Sequence, residues 1–358
     1  MANQLIVIQI LPALNNGGVE RGTIEMANYL AQMGHSSIVI SAGGIMTEKL
    51  SDQVEHINLD IGKKSLITLL KIKKLFKIFV DKNADIVHAR SRLPAWLAYK
   101  AIAKIKKNKP KFVTTVHGLY SVKKYSSIMV RGDKVIAVSQ TAKNYILNNY
   151  HNYLKSEPRL IYRGINPDEF PYGHKPNSIW SKDFKKKHHL IDGNKYVLLP
   201  GRLTSLKGAK ELITWLKSNE NADAQLIFTA DPEGDSYALK LFTWFREQKV
   251  DHRIIWVGLH SNMADLYALV DVVVNTSTRP ESFGRTVAES LAIGTPVVAY
   301  NHGGVGEILN SVFPEGKVEL YNQQQLSNTI NKTLSAQPKV SNNQPFILSK
   351  MLESTLNL

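Results

Sequence analysis

Glu281 and Glu289 stand seven residues apart by intervening count in RPESFGRTVAES, a stretch that also carries Pro280 and Gly284. Glu281 falls in a loop and Glu289 in the early turns of the helix that follows, so one carboxylate is free to face a ligand and the other is anchored. The amides of Phe283, Gly284 and Arg285 fall at that helix's N-terminus, where unpaired donors and the helix dipole favour an anion such as a diphosphate. The same spacing also suits a plain loop charge followed by a helix-start charge that the dipole favours. A second stretch, GRLTSLKG, puts Arg202 and Lys207 around a glycine-bounded turn. A planar fork and a point charge are suited to clamping two phosphates, although ordinary surface charge reads the same way. The Walker A order is absent, because no Gly-Lys-Ser/Thr closes the loop. Near the start of the chain, Gly17 and Gly18 lie in NNGGVERG, where backbone can approach a phosphate or sugar closely. This is not a G-x-G-x-x-G fingerprint, and a tight turn fits it equally.

The elements that must hold these residues follow from the apolar pattern. The run 272–274 ends in the polar residues Asn275, Thr276, Ser277 and Thr278, so the chain there leaves a buried strand. From Arg285, residues Val287, Ala288, Leu291 and Ala292 keep helical spacing until Gly294 and Pro296, and 296–300 is the next strand. The anion-binding helix end therefore lies at the carboxyl end of a parallel strand. Upstream, 5–11 reads as a strand, 15–22 as a loop, and Ile24, Ala27, Leu30 and Ala31 as one helix face ending at Gly34. Further strands are expected at 37–41, 55–60, 85–89, 111–117, 134–139 and 159–165, then at 196–200, 225–230 and 253–257. Strands alternating with helices predict parallel sheets covered on both faces. Polar, proline-containing sequence interrupts the alternation, which gives domains at 1–167 and 195–340, a linker at 168–194 and a C-terminal helical segment at 341–358. Residues 63–79 form a basic amphipathic helix with Leu66, Leu69, Leu70, Lys73 and Lys77 on a mixed face. It suits an anionic membrane surface, and equally a sheet-covering helix whose lysine stems lie along the protein.

A length of 358 residues suits two domains, and a 43% apolar fraction is ample for their cores. No apolar stretch reaches the roughly 18 residues needed to span a bilayer, and no secretory leader opens the chain, so a cytoplasmic protein is expected. With no cysteine, there is no disulfide framework, thiolate zinc site or cysteine nucleophile. The net charge of +15 lies wholly in the first part: residues 1–165 hold 25 Lys and Arg against 10 Asp and Glu, and the remainder is balanced. Such asymmetry points to an anionic partner, whether substrate, membrane or nucleic acid, or to a lysine-rich solvated surface.

Taken together, these residues resemble the retaining GT-B glycosyltransferases of group 1, also called family 4, over nearly the whole chain. The most specific part is the E-x7-E of PESFGRTVAES joined to GTPVVAYNHGGVGEI, followed by GRLTSLKG and NNGGVERG. VHARSRLPAW and VTTVHG are similar, more narrowly, to bacterial enzymes that extend lipopolysaccharide core or related surface glycans, core mannosyltransferases among them. The resemblance implies an α/β fold of two Rossmann-like doubly wound domains facing a cleft, with a C-terminal helix that crosses back to the first domain. It implies that Arg202 and Lys207 clamp the donor diphosphate, that Glu289 holds the ribose hydroxyls, and that Glu281 lies near the transferred sugar. The turn of Phe283, Gly284 and Arg285 would contact donor sugar and phosphate, and the loop of Gly17 and Gly18 would close over diphosphate and acceptor. His117 would border the donor sugar, although a histidine at a strand end also fits a packing or capping role.

The implied reaction is transfer of a hexose, mannose favoured, from GDP-mannose or a UDP-hexose to an anionic lipid-linked saccharide such as lipopolysaccharide core. It would proceed with retention, without a cofactor beyond the nucleotide sugar, on the inner face of the bacterial cytoplasmic membrane. The leaving diphosphate gains negative charge, which fixed cations and helix-end amides can stabilise. No D-x-D pair occurs to bridge a metal. Retention in this family is attributed to front-face attack, so Glu281 is not read as a nucleophile, and a glycosidase-like carboxylate pair is a poor model. A nucleotide-sugar epimerase or a soluble-acceptor transferase would share this architecture. A basic nucleic-acid-binding protein is the remaining alternative, but it leaves the clamp residues unexplained and has no recognised binding motif, so no nucleic-acid partner is expected.

Overall fold

A computed structural model describes residues 4–218, 220 and 223–358. The chain forms two compact units, one of Met1–Tyr162 with Ser349–Leu358 and one of Arg163–Leu348.

The first unit holds strands β1 (Ile6–Ile10), β2 (Ser36–Ser41), β3 (Val54–Asn58), β4 (Ile86–Ala89), β5 (Lys111–Val116), β6 (Lys134–Ala137) and β7 (Arg159–Leu160). They pair in parallel in the order β3-β2-β1-β4-β5-β6-β7. Each strand before β7 is joined to the next by a crossover, so the connections that start at the carboxyl ends share one rim. The order reverses between β1 and β4, which opens a switch point there. Buried Leu11, Leu14, Ile24, Ala27 and Val39 join the Gly18–Gln32 helix to the sheet. Met351 and Leu358, from and just beyond the C-terminal helix Leu348–Leu356, pack on Val113, Ile136 and Ile161, and Lys111 Nζ donates to the Leu358 carbonyl at 3.1 Å.

The second unit holds β8 (Tyr196–Leu199), β9 (Gln225–Phe228), β10 (Ile254–Trp256), β11 (Val272–Asn275), β12 (Val297–Tyr300) and β13 (Lys317–Val318), again all parallel, in the order β10-β9-β8-β11-β12-β13. Trp215, Phe228, Phe245 and Tyr300 anchor its core. The doubly wound α/β class expected from strand–helix alternation is therefore present in both units.

Three local features differ from the sequence reading. The first helix begins at Gly18 rather than beyond residue 22, because Arg21 pairs with Glu25 one turn on at 3.2 Å and Thr23 Oγ1 donates to the Val19 carbonyl at 2.8 Å. Strand β7 is only two residues long, and Ile165 instead bridges to Ile347. Within 168–194 lies the helix Ser178–Lys187, capped by Asn177, with Phe184 buried and stacked on Trp180 at 4.9 Å. Its run of lysines masks the apolar spacing that would have announced it. Among the described residues, no helix is long and apolar enough to cross a membrane.

Candidate functional site

Strands β8 and β11 are neighbours at the point where the strand order of the second unit reverses. The loops that leave their carboxyl ends carry GRLTSLKG and the turn around Glu281, the location where open α/β sheets bind ligands. The two loops are stitched together. Thr276 Oγ1 donates to the carbonyls of Lys207 and Gly208, both at 3.0 Å, and the Thr278 amide donates to the Leu206 carbonyl at 2.8 Å. Gly208 adopts φ +65°, and a Cβ there would fall on the Thr276 carbonyl oxygen, so this position requires glycine for two reasons.

The turn Ser205–Lys207 presents Lys207 to Glu281. Lys207 Nζ donates to Glu281 Oε1 at 2.8 Å, and the same oxygen accepts from Ser277 Oγ at 2.6 Å and Asn275 Nδ2 at 3.0 Å. Burial works against the charge of Glu281, but Lys207 and these hydrogen bonds outweigh it and hold the carboxyl below its ordinary value. Glu281 is therefore ionised and held in place, not a loosely tethered loop charge. Its Oε2 takes no bond within the described chain, and the side chain keeps 24% exposure, so one oxygen remains for a ligand hydroxyl. Behind the loop, His302 Nε2 donates to the Ser277 carbonyl at 2.7 Å, which fixes its tautomer, and the Gly304 amide donates to the Glu281 carbonyl at 2.8 Å.

Gly284, at φ +104°, ends the loop and caps the helix Arg285–Ile293. The amides of Phe283 and Gly284 donate to no other described group, while the Phe283 ring is buried against Phe346 at 5.6 Å. Phe283 thus offers a ligand its backbone alone. Arg285 Nε donates to Glu289 Oε1 at 2.7 Å and Tyr267 OH donates to Oε2 at 3.1 Å, leaving Glu289 5% exposed. Arg202 is exposed, and no hydrogen bond or ion pair with a described residue engages it. The second unit thus gathers Lys207 with Glu281, and Arg285 with Glu289, on neighbouring strand ends.

Gly17, Gly18 and His117 belong to the first unit. Gly17 precedes the Gly18–Gln32 helix in extended backbone, φ 171°, that any residue adopts, and its missing side chain spares only the flexible end of Glu20. His117 lies half-buried one residue past β5. Between these, buried Arg90 follows β4 and donates through Nε to Gln9 Oε1 at 3.0 Å, tying β4 to β1 at the switch point. Sequence reasoning missed Asn275, Ser277, Tyr267 and His302 as supports of the two glutamates. Asn275 and Ser277 were legible only as a polar strand end, and nothing marked Tyr267, which lies 22 positions from Glu289.

Residues 16–169 match the family model described as Glycosyltransferase Family 4, and residues 181–344 match Glycosyl transferases group 1. An uncharacterized glycosyltransferase of Methanocaldococcus jannaschii, MJ1607, is 30% identical over 82% of this chain and 79% of its own length. The crystal structure of a glycosyltransferase from Rickettsia africae superposes with a TM-score of 0.84 at 31% identity, covering 99% of this chain and 97% of that one. Anabaena HepE, solved in complex with UDP-glucose, shares the fold with a TM-score of 0.80 at 18% identity, covering 99% of this chain and 100% of that one.

Proposed function

The chain belongs to the group 1 glycosyltransferases of GT-B fold, and from that membership we propose that it transfers a hexose from a nucleotide sugar to an anionic, lipid-linked saccharide. The observation that carries this reading is the set of anion-seeking groups at the β8/β11 switch point: unengaged Arg202, Lys207, and the free amides of Phe283 and Gly284 beside an ionised Glu281. Arg202 and Lys207 take the diphosphate, and the two amides take the phosphate next to the sugar. As the glycosyl–oxygen bond breaks, the electron pair passes to the leaving diphosphate, where these fixed charges and dipoles stabilise it without reorganising; the acceptor hydroxyl oxygen forms the new glycosidic bond, and its proton passes to the departing phosphate oxygen. Glu281 Oε2 receives a hydroxyl of the transferred sugar. Glu289, fixed by Arg285 and Tyr267, receives the ribose hydroxyls.

The finer assignments are mannose as the favoured sugar, from GDP-mannose, with a UDP-hexose as the other donor, transferred with retention and without a metal. HepE, solved with UDP-glucose, supports a nucleotide-sugar donor. His117 borders the sugar, and Gly17 and Gly18 close over diphosphate and acceptor. The basic 1–165 stretch, with 25 Lys and Arg against 10 Asp and Glu, suits an acceptor such as lipopolysaccharide core and a peripheral position on the inner face of the cytoplasmic membrane. The test is a panel of nucleotide sugars incubated with lipid-linked and soluble saccharide acceptors. Products are read by mass spectrometry, and anomeric configuration by NMR. A hexose added to the lipid-linked acceptor with the donor's configuration is expected. Release of no nucleoside diphosphate from any donor would overturn the reading.

A further inference from the structure

The first turn of the Leu66–Asp81 helix is inside out. Four of its first five residues are aliphatic and stand in water, Leu66 at 84% exposure, Ile67 at 69%, Leu69 at 47% and Leu70 at 70%, whereas polar Thr68 is the buried one. Thr68 is held inward by its own bonds, Oγ1 donating to the Lys63 carbonyl at 2.6 Å and its amide to Ser65 Oγ at 3.3 Å. Sheet coverage falls to Leu75 and Phe79 further along the helix. Single exposed leucines are ordinary, but four aliphatic residues exposed within one turn make the kind of grouped apolar surface that marks an interaction site.

A second connection of the same unit also exposes apolar side chains, and cations flank its tyrosine, Arg92 Cζ lying 5.4 Å from the Tyr125 ring centroid. Val122 and Tyr125, at 56% and 37% exposure, follow β5, and Lys64 Nζ lies 5.9 Å from the Tyr125 ring centroid, joining the two segments. One segment leaves the carboxyl end of β3 and the other that of β5, so both stand on the rim that carries Gly17, Gly18 and His117. Exposed lysines flank these side chains along the chain: Lys64 precedes the aliphatic turn, Lys123 and Lys124 stand between Val122 and Tyr125, and Lys73 and Lys77 lie farther along the helix, while Lys63 pairs with Asp60 at 3.2 Å. Lys71 is not one of them, because its ammonium donates to the Asp60 carbonyl.

We propose that this turn, with Val122 and Tyr125, inserts shallowly into the interfacial layer of an anionic lipid bilayer, with the lysines against the headgroups. Aliphatic side chains bracketed by lysines match the two halves of such a surface. A protein groove or a second copy of the chain would complement the apolar turn but gives no role to the flanking lysines. The purpose rests on the reading of a lipid-linked acceptor, since docking this rim would bring such an acceptor to the reacting end of the sheet; its test does not.

The chain has no cysteine, so Leu70→Cys places a single thiol for an environment-sensitive fluorophore. On vesicles of phosphatidylcholine with phosphatidylglycerol, the labelled full chain should shift to the blue, and part of the shift should persist at high salt. In co-sedimentation, Leu66→Gln, Ile67→Gln and Leu70→Gln combined should lower partitioning roughly ten- to a hundredfold, as expected for removing partly inserted aliphatic side chains, and make the remainder fully salt-sensitive. Circular dichroism checks that the triple variant is folded, and calorimetry with a nucleotide sugar should show unchanged donor affinity. An unshifted fluorophore, wild-type partitioning by the triple variant, or a dimer in sedimentation velocity that the triple variant abolishes would each overturn the proposal. Donor binding and transfer to a soluble acceptor in the same samples report on the glycosyltransferase reading separately.

Discussion

Lys207 and Glu281 are 74 positions apart in sequence and 2.8 Å apart in the structure, an ion pair that joins the loops after β8 and β11. The cation assigned to the donor phosphate is therefore already engaged, and a phosphate must share it with a carboxylate that also receives Ser277 and Asn275. In the proposed donor complex those neutral donors would keep Glu281 satisfied while Lys207 turned part of its charge to the phosphate.

Lys207→Ala should lower nucleotide-sugar affinity roughly tenfold to a hundredfold, the range for losing a charge-assisted hydrogen bond. The Glu281 carboxyl should titrate at higher pH in the variant, because burial is then opposed by hydrogen bonds alone. Calorimetry and carboxyl NMR measure the two effects, and unchanged donor affinity would remove Lys207 from the clamp.

Arg202→Ala separates binding from folding. The side chain is exposed and engages no described partner, so stability should stay within about 0.5 kcal/mol of wild type. Donor affinity should nevertheless fall, and the loss should shrink as salt rises.

Glu289→Ala should affect both. It removes the carboxylate that accepts from Arg285 and Tyr267 in a nearly closed pocket, at a cost of about 1–3 kcal/mol, visible in a thermal melt. Glu289→Gln retains an acceptor for Tyr267 and should recover part of that stability. Donor affinity unchanged in Glu289→Gln would argue that Glu289 only supports the helix.

Two glycines of one loop make a matched pair. Gly201 has φ +97° with nothing within 4 Å of an added Cβ, whereas Gly208 has φ +65° and the Thr276 carbonyl in the way. Gly201→Ala should cost about 1–2 kcal/mol from backbone strain alone. Gly208→Ala should cost more and also weaken donor binding, because Lys207 is displaced with it. Equal losses in chemical denaturation would mean that the two loops move apart easily.

Acid should destabilise the first unit through His88. This ring is buried, 2.7 Å from Thr115 Oγ1, and burial, followed by the charge of Arg90, holds its pKa well below 6.5. The unfolded chain takes up a proton at that site below pH 6.5 and the folded one does not, so stability is present above 6.5 and is lost as pH falls toward the depressed value. The limiting slope is about 1.4 kcal/mol per pH unit for one proton. His88→Gln should flatten the pH dependence of the melt; His56, His188 and His260 are shifted in the same direction and account for slope that remains.

The sheets were legible because buried parallel strands are short apolar runs, and 272–274 or 296–300 has no other plausible use. The glycine at 284 and the proline at 296 likewise announced a helix start and stop that the structure keeps at Arg285–Ile293. What escaped was contact between distant residues. No pattern links Tyr267 to Glu289 or His302 to Ser277, since each is a pairing set by the packing of separate crossovers. The helix Ser178–Lys187 escaped for the opposite reason: only Phe184 is fully buried there, too little for periodicity to register.

The first unit is completed out of order. Its sheet ends near Tyr162, yet Met351 and Leu358, which cover Val113, Ile136 and Ile161, are encoded after the whole of the second unit. On a ribosome adding roughly 5–20 residues per second, an apolar face of the first sheet stays uncovered while nearly two hundred further residues are made, on the order of ten seconds or more. The first sheet is encoded whole in the N-terminal half, but this corner of its core closes only when the residues after 348 arrive.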